Sequence, residues 1–324
     1  MNVNALETMR SAFYKPIVHF GRTRNDEYSD CYVQLKDSAA NDFIAARIQS
    51  AVEAGAGFLV SKWGTIELGT VCAYLNHELD IPFIDIVQGK VNYDRRAASK
   101  YLVKNAGFFP EDLSLTKNFS EQALKDFQQI DILGSYIRNE IYVARFNPSA
   151  IRVNLDGYYA PFLWNKPWTS QLKGKKVLVV SPFVDSIAKQ YTKRELLFNN
   201  PNVLPEFKEL HLVKAVQSLG GCCDGFNTWF DALVAMENEI DTYEFDIALI
   251  GCGAYGMSLG AHVKKQGKIA IHMAGWLQML FGIYGNRWVR DQPQYAKFIN
   301  EHWIRPSKAE TPAAASQVES GCYW

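Results

Sequence analysis

Residues 174–284 alternate short apolar segments with amphipathic helical patterns, and this alternation constrains the fold more than any other feature of the chain. We predict strands in KKVLVVSPF, in ELHLVKAVQSL at 209–219, in FDIALIGCGAYG at 245–256, where the strand runs into a glycine turn, and in KIAIHMAG. Helical patterns stand between or after them at 183–191, 228–240, 258–266 and 276–284. Because strands that alternate with helices form parallel sheets covered on both faces, this region predicts an α/β fold.

The first half of the chain carries similar signals less regularly. We predict a strand at 58–61 and helices over 42–54, 65–79, 92–105 and 120–138. Ser120, with Glu121 beside it, is the expected N-cap of the last of these helices.

The chain divides into an N-terminal arm packed on the main body, one α/β domain, and a C-terminal tail. We expect the tail to be mobile around its Ala-rich stretch, 312–316. A loop at 156–173 is rich in Trp and Pro; it is either a lid over a binding site or a packed aromatic connector. The predicted bounds are 1–41 for the arm, 42–305 for the domain (a helical half over 42–170 and a regular half over 171–290), and 306–324 for the tail.

The composition argues against several classes of protein. Lys and Arg number 34, as do Asp and Glu, and this zero net charge argues against a nucleic-acid-binding surface. No run before residue 40 resembles a signal peptide, and no stretch has the ~18 apolar residues that cross a bilayer. The six Cys form no CxxC pair and no zinc-ligand spacing. We therefore expect a cytoplasmic protein with reduced thiols and at most peripheral membrane association.

Candidate functional residues lie at the carboxyl ends of the predicted strands. Ligands of open parallel sheets bind beyond these ends, so the segments there should converge in space. They are KWGTIE at 62–67, SPF at 181–183, GCGAYG at 251–256 and HMAG at 272–275, and Ser181 is the candidate binding residue of the second.

The glycine-rich turn has the GxGxxG spacing of turns in which the backbone approaches a phosphate. The helix after it offers N–H groups and a positive dipole end, so the backbone at Gly251, Gly253, Ala254 and Tyr255 is a candidate phosphate site. A tight turn that needs small residues explains the same spacing. No acidic residue follows a later strand to hold a ribose, which argues against a nicotinamide cofactor.

His272 ends an apolar strand, so its ring should point into the cleft, near Gly275 and Gln278. A histidine here is either a hydrogen-bonded structural residue or a group that binds phosphate or acts as a base near neutral pH.

Lys62, Trp63, Gly64, Thr65 and Glu67 stand together where a strand meets a helix. A carboxylate in the first turn of a helix is stabilised by the helix dipole by ~0.3–1 kcal/mol, so a simple cap explains Glu67. A cap alone does not require the Lys, Trp and Gly. A ligand site explains why these residues stand beside Glu67, which would bind a cation, orient a sugar hydroxyl or act as a base.

Several of these stretches resemble bacterial glycosyltransferases with the GT-D fold. SKWGTIE is similar to their R-[YF]-G-D-G-E stretch, and the strand, turn, helix and strand over 247–275 are similar to a second signature. The closer resemblance is to a GT-D-like group of polysaccharide-biosynthesis proteins and covers roughly 42–324. Its motifs stand in order at 62–67, 182–183 with 187–191, 253–256, 270–275, 280–288 and 321–324.

This resemblance implies a Rossmann-like sheet and transfer of a sugar from a nucleotide-sugar donor to a glycan or lipid-linked glycan acceptor, in capsule or surface-polysaccharide synthesis. It implies Lys62 and His272 beside the leaving diphosphate, Glu67 as base or sugar-orienting carboxylate, and Tyr255 or Trp63 stacked on a base or sugar.

The chain departs from the family at the donor site. An Asp-x-Glu pair serves the donor and its metal in the family, whereas this chain has Thr65 in place of the Asp and Lys62 in place of the Arg. Mn²⁺ or Mg²⁺ would keep Glu67 as a ligand but lose the second carboxylate, which puts metal dependence and turnover in question. Two alternatives therefore stay open: a binding protein of the same fold, and another Rossmann-type enzyme that uses NAD or S-adenosylmethionine.

Overall fold

The residues described by the computed structural model, 32–218, 223, 225–312, 315 and 321–324, form one seven-stranded sheet. Every strand is parallel to its neighbours, in the order β3-β2-β1-β7-β6-β4-β5. The predicted α/β, Rossmann-like parallel sheet is therefore confirmed. The strands are β1 (Phe58–Lys62), β2 (Ile132–Gly134), β3 (Ile151–Val153), β4 (Lys176–Ser181), β5 (Glu209–Lys214), β6 (Ile247–Ile250) and β7 (Ile269–His272).

Helices cover both faces of the sheet, and several begin at side-chain caps. Asp94 and Asp112 accept hydrogen bonds from the first-turn N–H groups of α4 and α5, and Thr228 does so for α9. None of the described helices is both long and apolar enough to cross a membrane. The α-helices are α1 (Asp37–Ala54), α2 (Thr65–Tyr74), α3 (Phe83–Val87), α4 (Arg95–Ala106), α5 (Leu113–Phe127), α6 (Glu140–Val143), α7 (Leu155–Tyr159), α8 (Val184–Tyr191), α9 (Trp229–Asp241), α10 (Gly256–Lys265) and α11 (Leu277–Leu280).

Alternate strand residues face two separate hydrophobic cores. In β4, Leu178 and Val180 pack into one core while Val177 and Val179 pack into the other. This two-sided burial explains why central strands such as β4, β6 and β7 are almost wholly apolar. Edge strand β5 is half-buried and alternates polar with apolar residues, and it ends at Lys214, earlier than the predicted 219. Helices α2, α4, α5, α9 and α10 cover the first face, and α1, α8 and α11 cover the second.

The direction of the chain reverses between β4 and β6. From β4 the chain moves outward to edge strand β5, whereas from β6 it moves inward to β7. The two helices that follow lie on opposite faces, since Ile187 of α8 and Leu259 of α10 belong to different cores. A crevice at the carboxyl ends of β4 and β6 results, and this topological switch point is where such sheets bind ligands.

Two predictions about the first half are wrong. The helix expected over 120–138 is instead α5 at Leu113–Phe127, followed by β2. Asp112 caps it by accepting from the Leu115 N–H at 2.8 Å, while Ser120 lies in mid-helix and donates to the Thr116 carbonyl at 2.9 Å. Helix α2 ends at Tyr74, earlier than predicted.

The predicted boundary between the N-terminal arm and the domain also differs from the structure. Helix α1 begins at Asp37, so the expected boundary of the arm at residue 41 falls inside a helix. Residues 1–31 lie outside the described part, as do Cys31, Cys222 and most of 312–316. The loop over 156–173 is made of short helical turns with Tyr158 and Trp168 buried, so it is a packed connector and not a lid. Cys72, Cys223, Cys252 and Cys322 are thiols outside any disulfide.

Candidate functional site

A cavity of about 730 Å³ lies at the carboxyl edge of the sheet, at the switch point. This volume is within the range of small-molecule sites. The ends of β1, β4 and β7 and the turn after β6 form its floor. The end of α4, α7, and the segment 321–324 contribute its walls. Eleven of the thirteen predicted site residues line it: Lys62, Gly64, Thr65, Glu67, Ser181, Gly251, Gly253, Tyr255, His272, Gly275 and Gln278.

Lys62 brings a positive charge to the cavity from the end of β1. Its Nζ donates to the Trp63 carbonyl at 3.2 Å and to the Tyr136 hydroxyl at 3.3 Å, and it lies 5.1 Å from the centre of the Tyr136 ring. Tyr136 OH donates to the same Trp63 carbonyl at 3.1 Å. These contacts hold the ammonium group at the cavity wall.

Glu67 is the third residue of α2, and its carboxylate folds back over Gly64. A Cβ at Gly64, the N-cap position, would overlap this carboxylate, so a larger residue there would displace the end of the Glu67 side chain. Glu67 also lines the cavity. Glu67 therefore both stands in the first turn of α2 and lines the cavity. Its two interpretations, a helix cap and a ligand-binding residue, are compatible.

Trp63 and Ala254 do not line the cavity. The Trp63 side chain is 1 % exposed and packs on Phe127, with ring centroids 5.3 Å apart. Its predicted stacking on a base or sugar is therefore wrong, since stacking requires an accessible ring face. Ala254 is buried in the same core.

The glycine-rich turn is explained partly by packing. A Cβ at Gly251 would come within 2.6 Å of the Ala274 carbonyl oxygen, and Gly253 has a φ of +58°, which favours glycine. Tyr255 is 1 % exposed and stacks on Trp229 at 4.8 Å and 7°. One face of the Tyr255 ring is thus unavailable for a ligand, although its edge reaches the cavity wall.

His272 is held as a neutral, buried side chain. Its Nδ1 is 2.9 Å from the Ser61 hydroxyl, and its carbonyl accepts from the Tyr158 hydroxyl. Burial, with a contribution from the positive charge of Lys62, lowers the pKa of His272 to about 3. Burial thus disfavours the protonated form, which argues against the predicted role of His272 as a base near neutral pH. Its Nε2 has no hydrogen-bond partner among the described residues.

Ser181 at the end of β4, and Gly275 and Gln278 after β7, line the floor of the cavity. Ser181 Oγ accepts from the Phe183 N–H at 3.1 Å and so fixes the turn after β4. A Cβ at Gly275 would overlap the ring of Tyr323. Gln278 is 2 % exposed and donates from Nε2 to the Tyr323 carbonyl at 3.1 Å, while its Oε1 has no partner in the described part of the chain.

Sequence reasoning misses several residues of the cavity wall. Arg287 lies in the motif at 280–288, and Tyr323 and Trp324 lie in the motif at 321–324, but no residue of either motif is among the predicted site residues. A signal for them therefore exists in the resemblance. Tyr136, Tyr159 and Gln292 also line the cavity and carry no local signal.

The described residues fit a divalent cation poorly. No three His, Cys, Asp or Glu side chains of this part of the chain are grouped so that they could hold a metal ion. Thr65 offers a neutral hydroxyl where a carboxylate would serve Mg²⁺ or Mn²⁺ better. We therefore derive no step through a metal.

No family model matches the chain, and searches of curated proteins and of solved structures find no match either. The site is interpreted from its own residues.

Proposed function

We propose that the protein binds a nucleotide-sugar donor in this cavity and transfers the sugar to a glycan or lipid-linked glycan acceptor, as in surface-polysaccharide synthesis. One observation carries the proposal. The 730 Å³ cavity at the switch point combines a cation, a carboxylate and buried polar atoms without protein partners on its walls, among the residues that the structure describes. Such a set suits a ligand that has a diphosphate at one end and hydroxyl groups at the other.

The diphosphate is assigned to the end of β1 and the turn after β6. Lys62 supplies a point charge, and the backbone N–H of Gly253, in the turn that leads into α10, supplies a directed donor. As the sugar leaves, charge grows on the diphosphate. Groups already in place stabilise this charge without reorganisation.

The sugar is assigned to Glu67 and Gln278. A carboxylate at the cavity wall accepts hydrogen bonds from sugar hydroxyls or takes the acceptor's proton. Gln278 Oε1 is an acceptor that a polar ligand satisfies. Leaving such a buried atom unpaired costs ~1–3 kcal/mol, which binding would recover.

Thr65 favours a second candidate, a protein that binds the nucleotide sugar without turning it over. A neutral hydroxyl in place of a carboxylate removes one ligand from a metal that would assist departure of the diphosphate. Binding without donor consumption distinguishes this candidate from the transferase.

The first experiment is thermal unfolding with UDP, GDP, CMP and dTDP, each with and without Mn²⁺, followed by an assay of sugar release from the matching donor. Ligand at a hundred times its Kd adds about 2.7 kcal/mol to the free energy of unfolding, which raises the melting temperature by several degrees. We expect one nucleotide to stabilise the protein and Lys62→Ala or Glu67→Gln to reduce the shift. The control Lys100→Ala removes an exposed lysine of α4 and should leave it unchanged. The proposal fails if no nucleotide stabilises the protein.

A further inference from the structure

Residues 285–288 and 321–324 are far apart in sequence but form one structural unit beside the cavity. The Asn286 N–H donates to the Trp324 carbonyl at 3.2 Å, and the Arg287 N–H donates to the Cys322 carbonyl at 2.8 Å. A Cβ at Gly285 would overlap the backbone of Tyr323, so the two segments are in direct backbone contact. We call residues 321–324 the C-terminal strap.

The strap holds the side chain of Arg287 as well as its backbone. The guanidinium carbon lies 4.5 Å from the centre of the Tyr323 ring, and Nη2 is 3.3 Å from Cys322 Sγ. Both Arg287 and Tyr323 line the cavity. A guanidinium group on an aromatic ring loses little freedom when it binds a ligand, because its position is already fixed.

Tyr323 is in turn fixed by the floor of the site. Its ring lies against Gly275, and its carbonyl accepts from Gln278 Nε2 at 3.1 Å. The strap is anchored further by Arg305, whose Nη1 donates to the Trp324 carbonyl at 2.8 Å. Arg287 is therefore aimed at the cavity by a chain of contacts that starts at Gly275.

The other nearby anion site is already occupied by the protein itself. At the N-terminus of α8, the Glu310 carboxylate accepts from the N–H groups of Asp185 at 2.9 Å and Ser186 at 3.1 Å, and from the Ser186 hydroxyl. A ligand phosphate is excluded from this helix end, although it too lies at the switch point. Among the described residues, Lys62, Gly253 in the turn before α10, and Arg287 line the cavity where anionic groups of a ligand would lie.

We propose that Arg287 binds the diphosphate of a nucleoside diphosphate in the cavity and that Tyr323 is its positioning residue. The proposal rests on the proposed function for the class of ligand. Under this proposal the strap is part of the binding site, because its Tyr323 ring holds the Arg287 guanidinium at the cavity wall.

Calorimetric titration tests the role of Arg287, with UDP, GDP, CDP and inorganic pyrophosphate as probes. Arg287→Gln should weaken the tightest of these probes about ten- to hundredfold, the loss expected for a hydrogen bond to a charged group. Arg287→Lys should fall between, because it keeps the charge and loses the planar fork. Arg96→Gln, at an exposed position of α4, is the matched control. Geranyl pyrophosphate tests a lipid diphosphate, and tighter binding of it than of every nucleotide overturns the assigned ligand.

A double-mutant cycle tests the positioning role. Gly275→Ala adds only a methyl group, which pushes on the Tyr323 ring, and should weaken the same probe at least about threefold. In a Tyr323→Leu background the same change should have no further effect. Tyr323→Leu should likewise add nothing to Arg287→Gln. The control Gly69→Ala places its methyl in open space on α2 and should leave the affinity unchanged.

The outcomes separate this inference from the proposed function. If the wild-type protein consumes a nucleotide sugar while Arg287→Gln binds as tightly as wild type, the inference is wrong and the function stands. If Arg287-dependent diphosphate binding occurs without sugar release, the inference stands and the transferase is excluded. If Gly275→Ala and Tyr323→Leu have additive effects, Tyr323 does not act through this contact and the positioning role is wrong.

Discussion

Gly256 begins α10 directly against the imidazole of His272, and its lack of a side chain is what lets that ring lie there. A Cβ at Gly256 would overlap Nε2, and the ring is held by Ser61 on its other side. We expect Gly256→Ala to lower the free energy of unfolding by ~1–3 kcal/mol, as overpacking does in a tight interior. Gly69→Ala, a helical position with no neighbour within 4 Å, should instead be neutral or stabilising. Urea denaturation measures both, and equal effects would contradict the packing argument.

The neutral state of His272 makes stability depend on pH. The pKa of His272 is about 3 in the folded protein against 6.5 for an ordinary histidine, because burial disfavours the charge. The unfolded chain therefore binds more protons between these values, so this residue's contribution is complete above pH 6.5 and is lost as the pH falls toward 3. We expect His272→Asn to reduce the loss of stability between about pH 7 and pH 4 by more than ~1 kcal/mol. His77→Asn, at an exposed site, should not change it.

At the scale of elements, the loop after β2 is organised by a buried carboxylate. Glu140 is 2 % exposed; its Oε1 accepts from the N–H groups of Tyr136 at 3.0 Å and Ile137 at 2.9 Å, and its Oε2 accepts from the Ser135 hydroxyl. Since Tyr136 contacts Lys62, this carboxylate also fixes one wall of the cavity.

Removal of this carboxylate should affect stability and binding together. Glu140→Ala leaves three buried donors without partners, and we expect a loss of ~2–4 kcal/mol of unfolding free energy. Nucleotide affinity should fall as well, because Lys62 loses the support of Tyr136. Chemical denaturation and calorimetry measure the two effects, with Glu111→Ala as the exposed control. Unchanged affinity in a folded Glu140→Ala protein would show that Tyr136 does not position Lys62.

A strand is predictable from sequence where both of its faces are buried and where it is long enough to show a distinct apolar run. Strands β4, β6 and β7 are recognisable because their β-branched runs end in glycine or proline turns. Strands β2 and β3 have only three residues each, as in Ile132–Gly134, and such runs cannot be distinguished from the apolar face of a helix. The start of α5 is hard to place because Asp112 and Ser120 are both favourable N-cap residues, and residue type alone does not distinguish between them.

At the scale of the whole molecule, the carboxylate of Glu310 joins the chain beyond the sheet to α8. The residue is 2 % exposed, and its carbonyl accepts from Trp324 Nε1 at 3.1 Å. Burial alone would raise the pKa of this carboxyl, but hydrogen bonds from Ser186 and Ser307 outweigh burial and lower it. Glu310 thus stabilises the start of α8 and the strap at once.

Removal of the Glu310 carboxylate should affect residues that are far from position 310 in the sequence. We expect Glu310→Ala to reduce the hydrogen-exchange protection of the Asp185 and Ser186 amides, and to cost ~2–4 kcal/mol of unfolding free energy. Glu244→Ala, an exposed position before β6, is the control. Full protection of the Asp185 and Ser186 amides in the variant would contradict the capping role.

The candidate site is predictable from sequence only as far as chain topology determines it. Parallel strands bring their carboxyl ends to one edge, so topology alone assigns Lys62, Glu67, Ser181 and Gln278 to one place. The wall made by Arg287 and Tyr323 depends on contacts between segments that no local pattern connects. The stacking predicted for Trp63 is wrong, and burial argues against a base role for His272. Sequence gives the strand end on which a side chain stands but not the depth to which it is buried.

The strand order has a consequence for how the protein is made. The centre of the sheet, β6 and β7, comes from later in the chain than both flanks, which are β3-β2-β1 on one side and β4-β5 on the other. During synthesis both flanks leave the ribosome with an open inner edge. The inner edge of β4 pairs with β6, which ends at Ile250, whereas the inner edge of β1 is not paired until β7 has emerged. Open apolar strand edges recruit other chains, so this protein should depend on chaperones more during translation than when the finished chain refolds. The cavity is incomplete before β7 is inserted, because His272, Gly275 and Gln278 line it. We therefore expect a ribosome-bound chain that stops short of β7 not to bind a nucleotide.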